Sequence, residues 1–383
     1  MADEMMCPKC GAANPAGTVF CGKCGTGLES PGANGEQEDP LIGQFVGDRF
    51  LVRRKLGEGG MGVVYEAEQT AIDRTVALKV LHPHLTDESL YARFRNEAAA
   101  SSRLSHPNTI TIFDFGKAKT GSLYIAMEFV SGTSLEDELD ERGAVDWRRT
   151  CRIGAQICGS LQDAHDNGIV HRDLKPDNVM LTTRGAEKDV VKVLDFGIAK
   201  IMEDDGQDQR KALTKTGMVF GTPQYMSPEQ IRGEKVDARS DIYSAGVILY
   251  HMLAGALPFK AETPMGLLTK HLMDTPPPLS EANPGAEIPP ELEQLVQRAL
   301  AKDKDERPAS MKELADGLAG LLGAASGTAL LGARDDSGTA VPATDAVPAA
   351  VPAVPISGGA SGEAEGTDAP LPPSQCRRLA KRA

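Results

Sequence analysis

The apolar positions between residues 50 and 130 fall in short runs that are separated by glycine and charged residues. Runs of this length are typical of β-strands that bury at least one face. They predict strands near residues 50–52, 62–67, 76–80, 109–115 and 123–130. Between the third and fourth runs, residues 88–104 have a helical pattern. This part of the chain is therefore predicted to be a small unit made mainly of β-strands.

Longer apolar patterns with a helical period begin at residue 146. Residues 146–167 and 242–253 each predict a helix, and proline-rich segments separate the later helices, which are expected to end near residue 322. Cys151 and Cys158 lie two turns apart in the first of these helices, so we interpret them as buried apolar residues. We interpret His165 as a structural histidine. The second part of the chain is therefore predicted to be mainly helical.

Two segments are too poor in apolar residues to build a core. Residues 28–47 combine proline, glycine and acidic residues, and from residue 324 the chain is mostly Ala, Gly, Pro, Ser and Thr. The uncharged run at 317–333 has too few strongly apolar residues for a membrane span, which needs about 20. The basic end, residues 376–382, is interpreted as a solvated tail, with a docking element as the alternative.

The bulk charge limits the classes of partner. The chain has 383 residues and a net charge of −13, which disfavours a general polyanion-binding role. It opens Met-Ala-Asp-Glu without an apolar signal segment, so a reducing, cytoplasmic location is expected. In that compartment paired cysteines are more often metal ligands than disulfides.

Two Cys-x-x-Cys pairs lie near the start of the chain. Their members are Cys7, Cys10, Cys21 and Cys24. Four thiolates form a closed tetrahedral site that is typical of structural Zn²⁺, so we expect no catalysis there. The segment resembles a small zinc ribbon, with redox-active pairs or an iron–sulfur site as alternatives. Its near balance of acidic and basic residues favours a protein partner over nucleic acid.

Four short motifs carry the candidate chemistry. A glycine-rich turn at residues 57–62 follows the first predicted strand, and Lys79 stands in an otherwise apolar strand. Asp173 and Asn178 lie five residues apart in His-Arg-Asp-Leu-Lys-Pro-Asp-Asn, and Asp195 follows an apolar run in Leu-Asp-Phe-Gly. A glycine turn alone is weak evidence, because hairpins also need glycine. Carboxylate and amide oxygens, however, suit Mg²⁺. The four motifs in this order are a far more specific signal than the glycine turn alone.

From residue 50 to about residue 322 the chain resembles the serine/threonine protein kinases, most closely the bacterial ones. The resemblance implies an α+β, two-lobed protein kinase fold with a small, mainly β N-lobe and a larger, mainly α C-lobe. The predicted domains are a zinc ribbon (1–28), a linker (29–47), the kinase domain (48–322) and a low-complexity, disordered tail (323–383). The implied reaction is ATP-dependent phosphorylation of serine or threonine on proteins.

The resemblance also implies a nucleotide site, with ATP and Mg²⁺ (or Mn²⁺) as cofactors. Met127 would lie behind the adenine, main-chain groups of Glu128 and Val130 would bond its edge, and Lys79 would hold the phosphates and pair with Glu97. The residues implied to form this site are Leu56, Gly57, Glu58, Gly59, Gly60, Met61, Gly62, Val63, Val64, Ala77, Lys79, Glu97, Met127, Glu128, Val130 and Met180. Without the resemblance, the apolar members would be interpreted as core residues and Glu97 as a solvated helix residue.

The same resemblance implies the catalytic set. Its members are Asp173, Lys175 and Lys79, with Asn178 and Asp195 as Mg²⁺ ligands. Asp173 would receive or orient the proton of the substrate hydroxyl, and Lys175 would steady the γ-phosphate. A lysine two residues after Asp173 is similar to serine/threonine kinases rather than tyrosine kinases. Thr222 would bond Asp173 and Lys175, or it is simply a turn threonine before proline.

Further residues are implied to regulate or brace the site. Arg172 would bind a phosphate on the loop 198–220, and Thr214 and Thr216 are the predicted acceptors in autophosphorylation. Two contacts are expected to be structural: Glu229 with Arg307, and Asp241, at the start of helix 242–253, with the backbone beside Asp173. Ser227-Pro-Glu departs by one residue from the family's Ala-Pro-Glu.

Two further hypotheses stay open. One is a kinase-shaped scaffold or binding module localised by the zinc ribbon, which loss of a motif residue would favour; all of them are present. The other keeps the kinase and makes the zinc ribbon a nucleic-acid anchor that localises it, which would bind in a salt-dependent way. Bacterial relatives form homodimers through the small lobe, but no residue specifies one here. No membrane partner is expected, and the sequence does not name the protein substrate.

Overall fold

A computed structural model describes the backbone of residues 4–6, 13–15, 39–59, 62–82, 88–196 and 222–331. In the first two segments, β1 (Glu4–Met6) pairs antiparallel with β2 (Ala13–Pro15). The remaining segments form a small lobe made mainly of strands and a large lobe made mainly of helices, as the sequence predicted.

The small lobe is built on a six-stranded antiparallel sheet in the order β3-β4-β5-β6-β8-β7. Its strands are β3 (Phe45–Val46), β4 (Phe50–Gly59), β5 (Gly62–Gln69), β6 (Arg74–Leu81), β7 (Ile112–Lys117) and β8 (Leu123–Glu128). Successive side chains of a strand point to opposite faces. In β6, Val76, Leu78 and Val80 are buried together in one cluster, so Ala77 and Lys79 face the other side of the sheet.

Helix α1 (Glu88–Ser101) covers that other side. Its Phe94 is fully buried in a second cluster with Ile125 and Met127 of β8. The helix ends three residues before the predicted residue 104. This packing places α1 directly beside the face of the sheet that carries Lys79.

The large lobe begins with a three-stranded sheet in the order β11-β10-β9 and continues as helices. The elements are β9 (Gly132–Ser134), α2 (Leu135–Arg142), α3 (Trp147–Asp166), β10 (Val179–Arg184), β11 (Glu187–Val193), α4 (Pro228–Arg232), α5 (Ala238–Ala254), α6 (Pro264–Met273), α7 (Leu279–Ala282), α8 (Pro290–Ala299) and α9 (Met311–Leu331). Asp146 caps α3 by accepting hydrogen bonds from Arg148 N and Arg149 N, which satisfies two backbone donors that a helix start leaves open.

The core of the large lobe lies around α3 and α5. Cys151 and Cys158 are buried free thiols, as predicted, and burial raises the pKa of both. The predicted start of α5 at Asp241 is wrong, because Asp237 caps the helix and Asp241 lies in its first turn. The apolar pattern begins only at Ile242, so it did not reveal the polar first turn.

The segment of residues 39–47, which we call the N-terminal strap, packs on the small lobe although the sequence placed it in a linker. The Tyr65 hydroxyl donates to Asp39 Oδ2 at 2.9 Å, and Gly43 N and Val52 N bond Val52 O and Gln44 O. Leu41 packs against the cluster that contains buried Val46. Two apolar side chains and one carboxylate therefore hold a segment whose mean composition is that of a linker.

Helix α9 continues to Leu331, beyond the predicted end near residue 322. Its last turns are rich in alanine and leucine, the residues with the highest helix propensity, although glycine and serine interrupt them. Low complexity was therefore a poor guide to the helix end. Within the described ranges, no helix combines the length and the apolar character needed to cross a membrane.

Candidate active site

Lys79 lies in the middle of the sheet, on the face that α1 covers. It is opposite Val64 of β5 and Ile125 of β8, and only 8% of its surface is exposed. Burying an ammonium is costly unless the charge is paired. Its Nζ donates to Asp195 Oδ2 at 2.7 Å, so the buried charge of Lys79 is compensated from the large lobe.

Asp195 follows β11 and has a left-handed backbone, with φ = +60°. Burial opposes the ionisation of its carboxyl, but the Lys79 ammonium outweighs burial and the pKa of Asp195 is lowered. Neighbouring backbone groups are also fixed: Leu194 N donates to Asn178 O at 2.8 Å, and Ser101 Oγ of α1 donates to Phe196 O at 3.1 Å. The segment around Asp195 is thereby tied to both lobes.

The pairing of Lys79 with Glu97 is not among the ion pairs within 4 Å that the described residues form. Asp195 occupies the position of partner instead. Glu97 is half-buried on α1 and has an interaction of its own. Lys79, Glu97 and Asp195 lie on three separate elements, so their spacing in the sequence does not show which carboxylate reaches Lys79.

Asp173, Lys175, Asn178 and Thr222 converge beside Asp195. Asn178 Nδ2 donates to the backbone oxygen of Asp173 at 2.8 Å, and Lys175 Nζ lies 3.5 Å from Asp173 Oδ2. Lys175 Nζ also donates to Thr222 Oγ1 at 3.0 Å, which confirms one of the two contacts predicted for Thr222. The site therefore places a partly exposed carboxylate next to an ammonium.

Asp241 braces the backbone before Asp173, as predicted. Its carboxylate accepts from His171 N at 2.8 Å and from Arg172 N at 2.9 Å. His165 Nε2 lies 2.7 Å from Asp241 Oδ2, which gives this histidine the structural role expected of it. Burial opposes the ionisation of Asp241, but the contact with His165 outweighs burial and the pKa of Asp241 is lowered.

The large lobe contains the predicted ion pair between Glu229 and Arg307. The guanidinium donates from two nitrogens to the two carboxylate oxygens, at 2.7 and 2.9 Å. Both side chains are almost completely buried. The pair joins α4 to the segment before α9.

The residues predicted to line the adenine lie partly or fully within the protein. Leu56, Val64, Ala77 and Met180 are half-buried and Met127 is buried, and Ala77 is opposite Met127 in the sheet. A Cβ added at Gly57 or Gly59 would meet no atom within 4 Å, whereas one at Gly62 would overlap the Val80 carbonyl. The packing of β5 on β6 therefore explains glycine at 62, and the open space beside 57 and 59 leaves room for a ligand.

The sequence interpretation missed two polar side chains at this site. Lys192 Nζ of β11 donates to the Glu128 side chain at 2.8 Å, and Gln230 Nε2 of α4 donates to Arg172 O at 2.7 Å. A lysine between Val191 and Val193 was a visible signal, because a charge in a buried strand needs a partner. Gln230 gave no such signal beyond its position three residues after Ser227.

Several predicted site residues lie outside the described residues. They are Gly60, Met61, the zinc ligands Cys7, Cys10, Cys21 and Cys24, and the loop 198–220 with Thr214 and Thr216. Their roles stay predictions.

Comparison with known proteins bears on both parts of the chain. Residues 50–317 match the model of the protein kinase domain, and residues 6–28 match that of a zinc-ribbon domain. Serine/threonine-protein kinase pkn3 of Myxococcus xanthus is 49% identical over 273 residues, which is 71% of this chain and 50% of that protein. PknB of Mycolicibacterium smegmatis is 42% identical over 275 residues, which is 71% of this chain and 42% of that protein.

A solved structure of a protein kinase domain has a similar fold. The kinase domain of Mycobacterium tuberculosis PknI matches with a TM-score of 0.57 and 30% identity, covering 73% of this chain and 98% of that one. The chain spans about half or less of the length of the two curated relatives described above.

Proposed function

Because the chain belongs to the protein kinase domain family, we propose that it transfers the γ-phosphoryl group of ATP to serine or threonine hydroxyls of proteins. The observation that carries this proposal is the convergence of Lys79, Asp195, Asn178, Asp173 and Lys175 at one cleft. Curated relatives named as serine/threonine-protein kinases support the choice of acceptor.

The donor set fits a nucleotide with Mg²⁺. Asp195 would contribute a carboxylate and Asn178 an amide oxygen, because the amide nitrogen of Asn178 is committed to Asp173 O. One carboxylate and one amide oxygen suit Mg²⁺, which takes its other ligands from phosphate and water. Bound ATP supplies the phosphoryl group, and the metal offsets its charge.

Transfer then depends on position and charge. Asp173 orients the acceptor hydroxyl and receives its proton, while Lys175, within reach of Asp173 and Thr222, steadies the transferred group. Such a base contributes about 10²–10⁴-fold to the rate. Met127, Glu128 and Val130 hold the adenine in the cleft between the lobes.

We also propose that Lys79 changes partner when the nucleotide binds. Its ion pair with Asp195 occupies a carboxylate that the metal needs. Transfer of Lys79 to Glu97 and the phosphates would release that carboxylate. The half-buried position of Glu97 on α1, beside the face that carries Lys79, supports this exchange.

Incubation of the purified full chain with labelled ATP and Mg²⁺, followed by phosphosite mapping, tests the function. We expect label on serine or threonine of the chain and of an added protein substrate, and none when Mg²⁺ is omitted. Omitting the metal is preferable to chelation, because a chelator would also remove zinc. A chain that binds ATP but transfers no label under any condition would support the scaffold alternative.

Replacement of both Thr214 and Thr216 by alanine is expected to remove most label from the loop 198–220 and to lower activity towards a protein substrate. The reason is that a phosphate there would pair with Arg172 and order the loop. Mass spectrometry of the wild type and the variant checks the sites. Undiminished autophosphorylation and activity in the double variant would contradict the assignment.

We propose that the match at residues 6–28 marks a structural zinc site formed by Cys7, Cys10, Cys21 and Cys24, and that this ribbon binds a protein partner. Metal analysis of the purified chain is expected to find about one zinc per chain. A Cys7→Ser/Cys10→Ser variant should lose it and keep transfer activity within about twofold, because a closed site leaves no position for catalysis.

The matched control for the zinc site is Cys376→Ser, which removes a cysteine outside the two pairs and should keep the metal. Iron instead of zinc, with visible absorbance, would support the iron–sulfur alternative. Retention of zinc in the double variant would contradict the proposed ligands.

A further inference from the structure

We propose that Gln230 is a positioning residue for phosphoryl transfer, because it ties the start of α4 to the peptide unit that leads into Asp173. This inference rests on the proposed function. The tether is a hydrogen bond of 2.7 Å from Gln230 Nε2 to the carbonyl oxygen of Arg172. That oxygen and the backbone nitrogen of Asp173 belong to one planar peptide unit, which also contains the Cα atom of Asp173. Holding the oxygen therefore restricts the position of the Cα atom that carries the Asp173 side chain.

The backbone at Arg172 is strained, so it depends on contacts that stabilise its conformation. Arg172 has φ = +68°, a left-handed conformation that is strained for an L-residue with a side chain. Its N–H donates to Asp241 Oδ1 at 2.9 Å, and its carbonyl accepts from Gln230. The strained residue is therefore held on both sides, by α5 through Asp241 and by α4 through Gln230.

Gln230 is itself fixed by the N-terminal cap of its own helix, α4. Its Oε1 accepts from Ser227 N and from Ser227 Oγ, both at 3.0 Å, and Ser227 Oγ accepts from Gln230 N at 3.4 Å. This is a capping box, in which the first and fourth residues satisfy each other's backbone. With the oxygen committed to Ser227, the amide nitrogen has one orientation, towards Arg172.

The tether also fixes the position of residues 222–227 relative to the segment that contains Arg172 and Lys175. Residues 222–227 lead directly into α4, and Thr222 contacts Lys175 at 3.0 Å. The bond from Gln230 to Arg172 is a second link between the same two segments. We infer that the two links together set the acceptor hydroxyl against the carboxylate of Asp173, so that loss of the tether lowers kcat more than it weakens nucleotide binding.

The side-chain chemistry allows the capping role and the tethering role to be separated. Gln230→Glu keeps the acceptor for Ser227, because Ser-x-x-Glu is itself a capping-box sequence, but it replaces the donor to Arg172 O with an oxygen. Ser227→Ala removes the side-chain part of the cap and keeps the donor. Gln230→Met removes both without adding charge, which controls for the electrostatic effect of glutamate.

The experiment measures kcat, KM for ATP and the unfolding midpoint of the full chain and of these three variants. We expect Gln230→Glu and Gln230→Met to lower kcat about tenfold, the effect of losing one hydrogen bond in the transition state, with KM for ATP within about threefold. Ser227→Ala should keep kcat within about threefold, although its unfolding midpoint falls as a cap is lost.

Retention of wild-type kcat by Gln230→Glu, with parallel losses of stability and activity in Gln230→Met and Ser227→Ala, would show a cap and no tether, and would overturn the inference. A fall in kcat of Ser227→Ala equal to that of Gln230→Glu would overturn it as well. A wild-type chain without transfer activity would instead remove the proposed function, on which the tether depends, so the two failures are distinguishable.

Discussion

Replacement of Asp173 by asparagine is expected to lower kcat for phosphorylation of a protein substrate by about 10²–10⁴-fold. Asparagine has nearly the shape of aspartate, but its amide cannot take up the proton of the acceptor hydroxyl. The bond from Asn178 Nδ2 to Asp173 O, at 2.8 Å, uses the backbone and is kept in the variant, whereas Lys175 Nζ lies farther away, at 3.5 Å from Asp173 Oδ2. The variant should therefore fold normally and bind ATP with a nearly unchanged KM.

Asp177→Asn is the matched control for this experiment. Asp177 lies in the same loop, and its side chain is exposed, so the same chemical change there should leave kcat within about threefold. Steady-state kinetics of the wild type and both variants check the prediction. Equal losses in the two variants would point to the loss of loop charge rather than to a base at Asp173.

Glu229→Ala is expected to destabilise the large lobe by about 3–5 kcal/mol, the usual cost of leaving one member of a buried ion pair alone. Arg307 would keep its charge with almost no exposed surface and would lose both hydrogen bonds to Glu229. Urea unfolding of the variant measures the effect. A Glu229→Ala/Arg307→Leu double variant should recover part of the loss, because no unpaired charge then remains buried.

A surface ion pair provides the comparison for Glu229. Lys312 and Asp316 are one turn apart and both largely exposed, so Asp316→Ala should change the free energy of unfolding by less than about 1 kcal/mol. A loss at Glu229 as small as that at Asp316 would contradict the buried-pair explanation.

The same ion pair predicts a pH dependence. Burial opposes the ionisation of Glu229, but the hydrogen bonds from Arg307 outweigh burial and its pKa is lowered from 4.5. A group with a lowered folded-state pKa stabilises the fold above its unfolded value, and that stability is lost as the pH falls through the folded value. The wild type should therefore lose more stability than the Glu229→Ala variant as the pH falls below about 4.5.

The sequence was a good guide where structure is local or where a motif has fixed spacing. The strands of the small lobe follow from short apolar runs, and Asp146 and Asn167, the ends of the predicted helix, are the residues that flank α3. Asp173, Lys175 and Asn178 belong to one short loop, so their proximity follows from their spacing. The brace from Asp241 was also predicted, although it lies far away in the chain.

The sequence was a poor guide where the result depends on the distance between two elements. The partner of Lys79 depends on how separate elements pack together, and the described structure pairs Lys79 with Asp195. The role of Gln230 depends on the left-handed backbone of Arg172, which no residue pattern announces because arginine rarely adopts it. A glutamine at a helix start also has an ordinary local explanation, so nothing marked this one.

The N-terminal strap has a consequence for the ribbon that precedes it. Anchoring at Asp39 leaves about ten residues between the end of the zinc-ribbon match at residue 28 and the small lobe, a length that spans at most about 36 Å. A protein bound by the ribbon would be held near the small lobe by this short segment, at an effective concentration in the millimolar range. If the ribbon binds a protein partner as proposed, a weak substrate of the cleft that arrives on the ribbon is expected to be phosphorylated more efficiently than the same substrate free in solution, so recruitment would add to selectivity.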